Sequence, residues 1–219
     1  MNQHYRIQHH IITMRQLRDR SHEWGFRGVE RLIILLIMSM KLCFPSFWIR
    51  HYADLTGHLM RNRLIEYYVM GTTTMLVMIL ALQWWTHWIW VALTIYTFWD
   101  LIVYLLWLII LGDLNHSQPN LRRNIILLGI NTIQIVSSFA IMYLASNSLY
   151  YAWSESLVSS WLDAFYFSIA TFATVGYGDM VTMWSIGHFL ATCQILTSFL
   201  FISLVLSSVV SKIEIHSEW

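Results

Sequence analysis

Four apolar stretches in this chain are each long enough to cross a bilayer: Leu64 to Gln83, Trp85 to Leu111, Ile125 to Ala145 and Gly187 to Lys212. A hydrocarbon core about 30 Å thick asks for roughly 20 apolar residues in a helix. In lipid every backbone polar group must be satisfied within the protein, which leaves helices as the spanning element here. Composition agrees. Hydrophobic residues make up 57% of the 219-residue chain and charged ones 11%, with 12 Trp and 11 Tyr available for the headgroup level. The expected fold is therefore an all-α membrane protein with four transmembrane helices.

Between the third and fourth stretches lies a fifth apolar run, Trp161 to Ala173, only 13 residues long. It is too short to span and is followed at once by Thr174-Val175-Gly176-Tyr177-Gly178-Asp179. A short apolar helix flanked by two spans reads as a re-entrant segment. Ser160 and Asp163 form an S-x-x-D start for it. Its negative C-terminal end then falls beside Thr174 and favours a cation.

Basic residues set the orientation. Arg61 and Arg63 precede the first span and Arg122 and Arg123 the third, whereas the turn at Trp84 to His87 and the loop at Ser146 to Ser160 hold no Lys or Arg. The positive-inside rule puts both termini in the cytoplasm of a cell with this protein in its plasma (inner) membrane, and the short helix enters from outside. Residues 32–48 contain Lys41 and Pro45 and are read first as an amphipathic helix lying in the inner interface, and second as a further span that would put the basic N-terminus outside. Three regions result: a cytoplasmic and interfacial N-terminal region at 1–63, a transmembrane hairpin at 64–111, and a pore-like domain at 122–212. The linker before that domain is marked by Asn115, Ser117, Pro119 and Asn120.

The string after the short helix has a chemical reading of its own. A pore that passes a dehydrated cation must replace water with oxygen ligands at fixed spacing. Stacked backbone carbonyls do so only where the backbone adopts dihedrals that glycine accepts and other residues resist. Gly176 and Gly178 alternate with Val175 and Tyr177, whose side chains can pack outward, and Thr174 can add a hydroxyl oxygen. One chain supplies one strand, so a closed ring takes several copies.

Thr174 to Asp179 resembles the signature of tetrameric potassium channels, and residues 125–212 resemble their helix, pore helix, filter and helix module in a prokaryotic-type subunit. The resemblance implies a homotetramer that conducts K+ passively. It also implies ion coordination by the backbone carbonyls of Thr174, Val175, Gly176 and Tyr177, with the Thr174 hydroxyl as a further ligand. Gly178, Asp179, Tyr166 and Phe167 would support the filter. Tyr166 can still donate to Asp179, but Phe167 lacks a donor for Tyr177. The family's inner-helix hinge glycine falls at Ser198, which becomes the gating candidate. Retention of Tyr177 implies selection of potassium over sodium.

Glu155, Asp163 and Asp179 on the outer side would concentrate cations at a mouth. No span carries the spaced arginines of a voltage sensor. Asp100, near the middle of the second span, is read first as a structural carboxylate meeting Thr72, Thr73 and Thr74, and second as a proton or cation sensor. Asn131, Gln134 and Gln194 read as interhelical glue.

His4, His9, His10 and His22 can titrate near neutral pH, but no dense histidine box suggests an enzyme. Cys43 and Cys193 form neither a disulfide framework nor a metal spacing. The chain ends seven residues beyond Lys212, so gating by a cytosolic ligand would need a regulatory partner. Nothing points to nucleic acid. A second reading is a regulatory or toxin-like membrane protein that keeps the fold and conducts poorly. A histidine-dependent membrane enzyme is the third.

Overall fold

A computed structural model describes His58 to Leu111 and Leu121 to His216, all within one compact unit. The expected interfacial helix at 32–48, the N-terminal histidines and the linker at Pro119 lie outside the described residues. The order of elements is α1 (His58–Ala81), a 3-10 turn (Trp84–Thr86), α2 (Trp88–Leu111), α3 (Leu121–Ala145), β1 (Leu149–Tyr151), α4 (Trp161–Phe172), β2 (Met180–Thr182) and α5 (Trp184–His216). Among the described residues α1, α2, α3 and α5 are long and apolar enough to cross a membrane. The protein is mostly helical and membrane-embedded.

α3 is the hub. In its most apolar stretch 61% of residues are buried, against 17% for α1, 33% for α2 and 28% for α5. The hairpin packs on one side of it, with Leu76, Ile79 and Leu80 of α1 and Leu101, Ile102 and Leu105 of α2 buried in one core with Ile135, Phe139 and Tyr143 of α3. Phe98 meets Phe139 edge to face at 5.0 Å between ring centres. α4 and α5 share that core through Ala164, Leu190 and Phe201. The faces left bare on α5, including Phe189, Leu196 and Phe199, are apolar and face away from the chain's own core.

Helix ends follow local chemistry. The hairpin turns where Gln83 takes a left-handed conformation (φ 58°), and Trp84 stacks on Trp90 at 4.7 Å across the turn. Around the 174–179 string the structure adds an element that hydropathy does not show. Residues before and after the 174–179 string pair as antiparallel strands, Leu149 with Thr182, Tyr150 with Val181 and Tyr151 with Met180.

This two-stranded ladder sits tight against the start of α5. A Cβ on Gly187 would stand 3.0 Å from the Ser148 Cβ, 3.1 Å from the Thr182 Cβ and 3.2 Å from the Ser148 carbonyl oxygen. Gly187→Val should therefore cost about 1 to 3 kcal/mol of stability by overpacking. Thermal denaturation in detergent checks it; an unchanged midpoint would mean that the ladder is not held against α5.

Candidate functional site

α4 begins and ends as its sequence directs. Ser160 is extended (φ −77°, ψ 129°), and its hydroxyl accepts from the Asp163 N–H at 3.4 Å. The capping box is half made, because the Asp163 carboxylate accepts from the Tyr151 hydroxyl of β1. That hydrogen bond holds the phenol proton and moves the Tyr151 pKa above its ordinary value, with desolvation adding to it. Asp163 is thus a tie between the helix start and the outer ladder. Glu155, by contrast, is exposed in the loop.

At the C-terminal end the chain turns sharply and stays attached to the helix. Ala173, Thr174 and Val175 donate their N–H groups to the carbonyls of Ile169, Thr171 and Ala170 at 2.8, 3.1 and 2.9 Å. The backbone then takes positive φ at every second residue: 56° at Thr174, 59° at Gly176 and 78° at Gly178. In a strand that alternates handedness in this way, successive carbonyls fall on one side. Glycine accepts this conformation readily; for Thr174 it is strained by roughly 1 to 2 kcal/mol. No Cβ clash explains either glycine, since nothing lies within 4 Å of the positions that such atoms would take. Their role is conformational.

The string is bare in the single chain. Val175 is 50% and Tyr177 67% exposed, and residues 173–178 are exposed throughout. Tyr166 stacks on Tyr177 with ring centres 6.0 Å apart and planes 11° apart. Its hydroxyl interacts with the Asp179 carboxylate. Asp179 is held further by its backbone, whose carbonyl accepts from the Ala152 N–H at 2.9 Å, and its Oδ1 accepts from the Met180 N–H at 3.1 Å. Phe167 turns the other way and packs edge to face on Tyr143 of α3 at 5.2 Å. Of the two aromatic positions, Tyr166 touches the string and Phe167 anchors the helix behind it.

Behind α4 lies a buried polar network that sequence reasoning caught only at Gln194. Gln194 is fully buried. Its Oε1 accepts from the Tyr143 hydroxyl at 2.9 Å, and its Nε2 donates to the Ser168 carbonyl at 2.7 Å and the Ser168 hydroxyl at 2.8 Å. Ser168 in turn donates to the Val136 carbonyl at 2.9 Å. Three helices, α3, α4 and α5, are thereby pinned by one amide. Ser198 lies one turn further along α5, fully buried, with its hydroxyl donating to the Gln194 carbonyl at 2.9 Å. Such back-bonding loosens and bends a helix slightly. Ser168 and Tyr143 gave one sequence signal, a hydroxyl inside an apolar run.

In the hairpin the expected partners of Asp100 are replaced. Tyr68 donates to Asp100 Oδ2 at 2.6 Å. Thr72, Thr73 and Thr74 instead donate to carbonyls of their own helix, at Tyr68, Val69 and Met70. A threonine hydroxyl reaches its own i−4 carbonyl without ordering a second helix, so the local bond wins.

Residues 138–214 match the family model described as an ion channel. Over 52 residues the chain is 46% identical to two-pore potassium channel 4 of Arabidopsis thaliana, a stretch that covers 24% of this chain and 18% of that protein. The chain thus spans less than a fifth of that relative's length. No solved structure matches.

Proposed function

We propose that this membrane protein, whose residues 138–214 are an ion channel domain of the potassium channel family, is a pore-forming subunit that conducts K+ passively along the axis of a homotetramer. The observation that carries the reading is the bare strand with positive φ at Thr174, Gly176 and Gly178. It offers the carbonyls of Thr174, Val175, Gly176 and Tyr177, and the Thr174 hydroxyl, as replacements for the ion's water. One strand cannot surround an ion. The exposed string and the apolar face of α5 both call for further copies of the chain around an axis.

Gly178, Asp179 and Tyr166 support the strand from its outer end, Phe167 from behind, and Ser198 is the point where α5 yields on opening. Asp179, with Asp163 and Glu155, adds negative charge at the outer mouth, which raises the local cation concentration. The protein lies in the plasma membrane with both termini in the cytoplasm. Among the described residues no spanning helix carries the spaced arginines of a voltage sensor.

The test is K+ flux in proteoliposomes made with the purified protein. Barium-sensitive uptake driven by a K+ gradient is expected, with reversal potentials that favour K+ over Na+. Equal permeability to the two ions would defeat the selectivity reading. Absence of flux from correctly assembled tetramers would defeat the channel reading.

A further inference from the structure

α4 and the string that follows it are two legs of nearly equal length. The 12 residues of the helix rise about 18 Å, and Thr174 to Gly178 reach at most about 17 Å. The chain turns sharply between them, so the start of the helix and the exit of the string return to one level. One strand, β1, reaches both.

At the turn the legs are joined by the backbone bonds of Ala173, Thr174 and Val175 to the carbonyls of Ile169, Thr171 and Ala170. At the open end two links hold them. The direct one is Tyr166, which stacks on Tyr177 and meets the Asp179 carboxylate. The other runs through β1. The Ala152 N–H donates to the Asp179 carbonyl at 2.9 Å, beside the pairing of Tyr151 with Met180. The Tyr151 hydroxyl then donates to Asp163 Oδ2, in the first turn of α4.

β1 has the stiffness of a strut. One edge pairs with β2, and the loop that follows takes up the other. Tyr151 N–H donates to the Ser156 carbonyl at 3.0 Å and Val158 N–H to the Leu149 carbonyl at 2.9 Å, while Glu155 N–H returns to the Tyr151 carbonyl at 3.0 Å. Trp153 lies against the Tyr151 ring at 5.2 Å between centres. The Tyr151 hydroxyl is the hydrogen bond that fastens this strut to the helix, and bonds to a carboxylate are among the stronger ones.

We propose that Tyr151 is a positioning residue for conduction: through Asp163 and the Asp179 carbonyl it holds the exit of the carbonyl strand at a fixed distance from α4. The proposal rests on the pore reading. A K+ ion bound by the strand holds the same conformation from within, by mass action. Losing the tie therefore makes the conducting form depend on more K+.

The test uses the purified full-length protein in planar bilayers, with K+ lowered in steps on each face in turn and replaced by N-methyl-D-glucamine. Tyr151→Phe removes the hydroxyl and keeps the ring. The K+ concentration that half-sustains the current is expected to rise about tenfold, the worth of one hydrogen bond to a charged group. Asp163→Ala should raise it likewise, and the double variant no further than either single. A Tyr151→Phe current that follows K+ as the unmodified one does overturns the proposal, even where thermal stability falls. So does a double variant whose rise is the product of the two singles. Should Tyr151→Phe not assemble, Asp163→Ala decides by the same reading. Unmodified tetramers that pass no K+ overturn the pore reading and this proposal with it, whereas unchanged variants of a conducting protein overturn the proposal alone.

Discussion

Gly176→Ala is expected to abolish K+ flux, with a fall of at least a hundredfold in proteoliposomes. The expectation does not come from lost contacts, because a methyl group at this position meets nothing within 4 Å in the chain. It comes from the backbone: φ at Gly176 is 59°, and an alanine held there is strained by roughly 1 to 2 kcal/mol. The proposed tetramer would meet that cost four times on one axis. The strand can relieve it by flipping a peptide unit, which turns a carbonyl off the ion path and an N–H towards it. Gly178, at φ 78°, should behave alike. A control separates conformation from bulk: a D-alanine introduced at 176 by semisynthesis adopts positive φ without strain and should conduct. If L-alanine conducts as well as glycine, the alternating backbone is not what selects the ion.

The second large effect is expected at Gln194. Gln194→Leu removes the acceptor of the Tyr143 hydroxyl and the donor to Ser168 inside a dry core. Each buried group left unpaired costs about 1 to 3 kcal/mol. The Tyr143 hydroxyl is the group so stranded, since the Ser168 hydroxyl keeps its bond to the Val136 carbonyl, and the unfolding midpoint should drop by about 2 to 12 °C for a chain of this size.

Channel kinetics should change too, because the same amide ties the back of α4 to α5, the helix that carries Ser198. Tyr143→Phe removes only one of the bonds and should cost less. The double variant should cost less than the two singles added, since both act on one bond. Strict additivity across that cycle would show that Tyr143 and Gln194 are not energetically coupled. Unchanged open probability in Gln194→Leu would show that the network is structural alone.

How much could be read beforehand varies with the range of the interaction. The start of α4 at Trp161 was legible because an N-cap is a contact between neighbours in sequence, Ser160 with Asp163. The other half of that motif was not, since Asp163 is claimed by Tyr151 from a different element. Thr72, Thr73 and Thr74 looked like partners for Asp100 by depth in the bilayer. Depth fixes height along a helix but not which face a side chain takes, and the nearer carbonyls of α1 captured all three. Tyr68, on the face that does meet α2, took the carboxylate. The ladder of β1 and β2 escaped hydropathy because three-residue strands carry too little pattern to be seen.

The sequence alone determined that the chain lives in a membrane, where its long apolar runs lie, and which two glycines interrupt the string after the short helix. These are local properties: burial in lipid is counted residue by residue, and tolerance of positive φ belongs to glycine itself. Only the tertiary structure decided that Thr174 shares that conformation, that Gln194 joins three helices, and that Tyr68 takes the Asp100 carboxylate. Each of these depends on which faces of distant segments meet, and that is settled when packing around α3 makes the best use of volume and hydrogen bonds together.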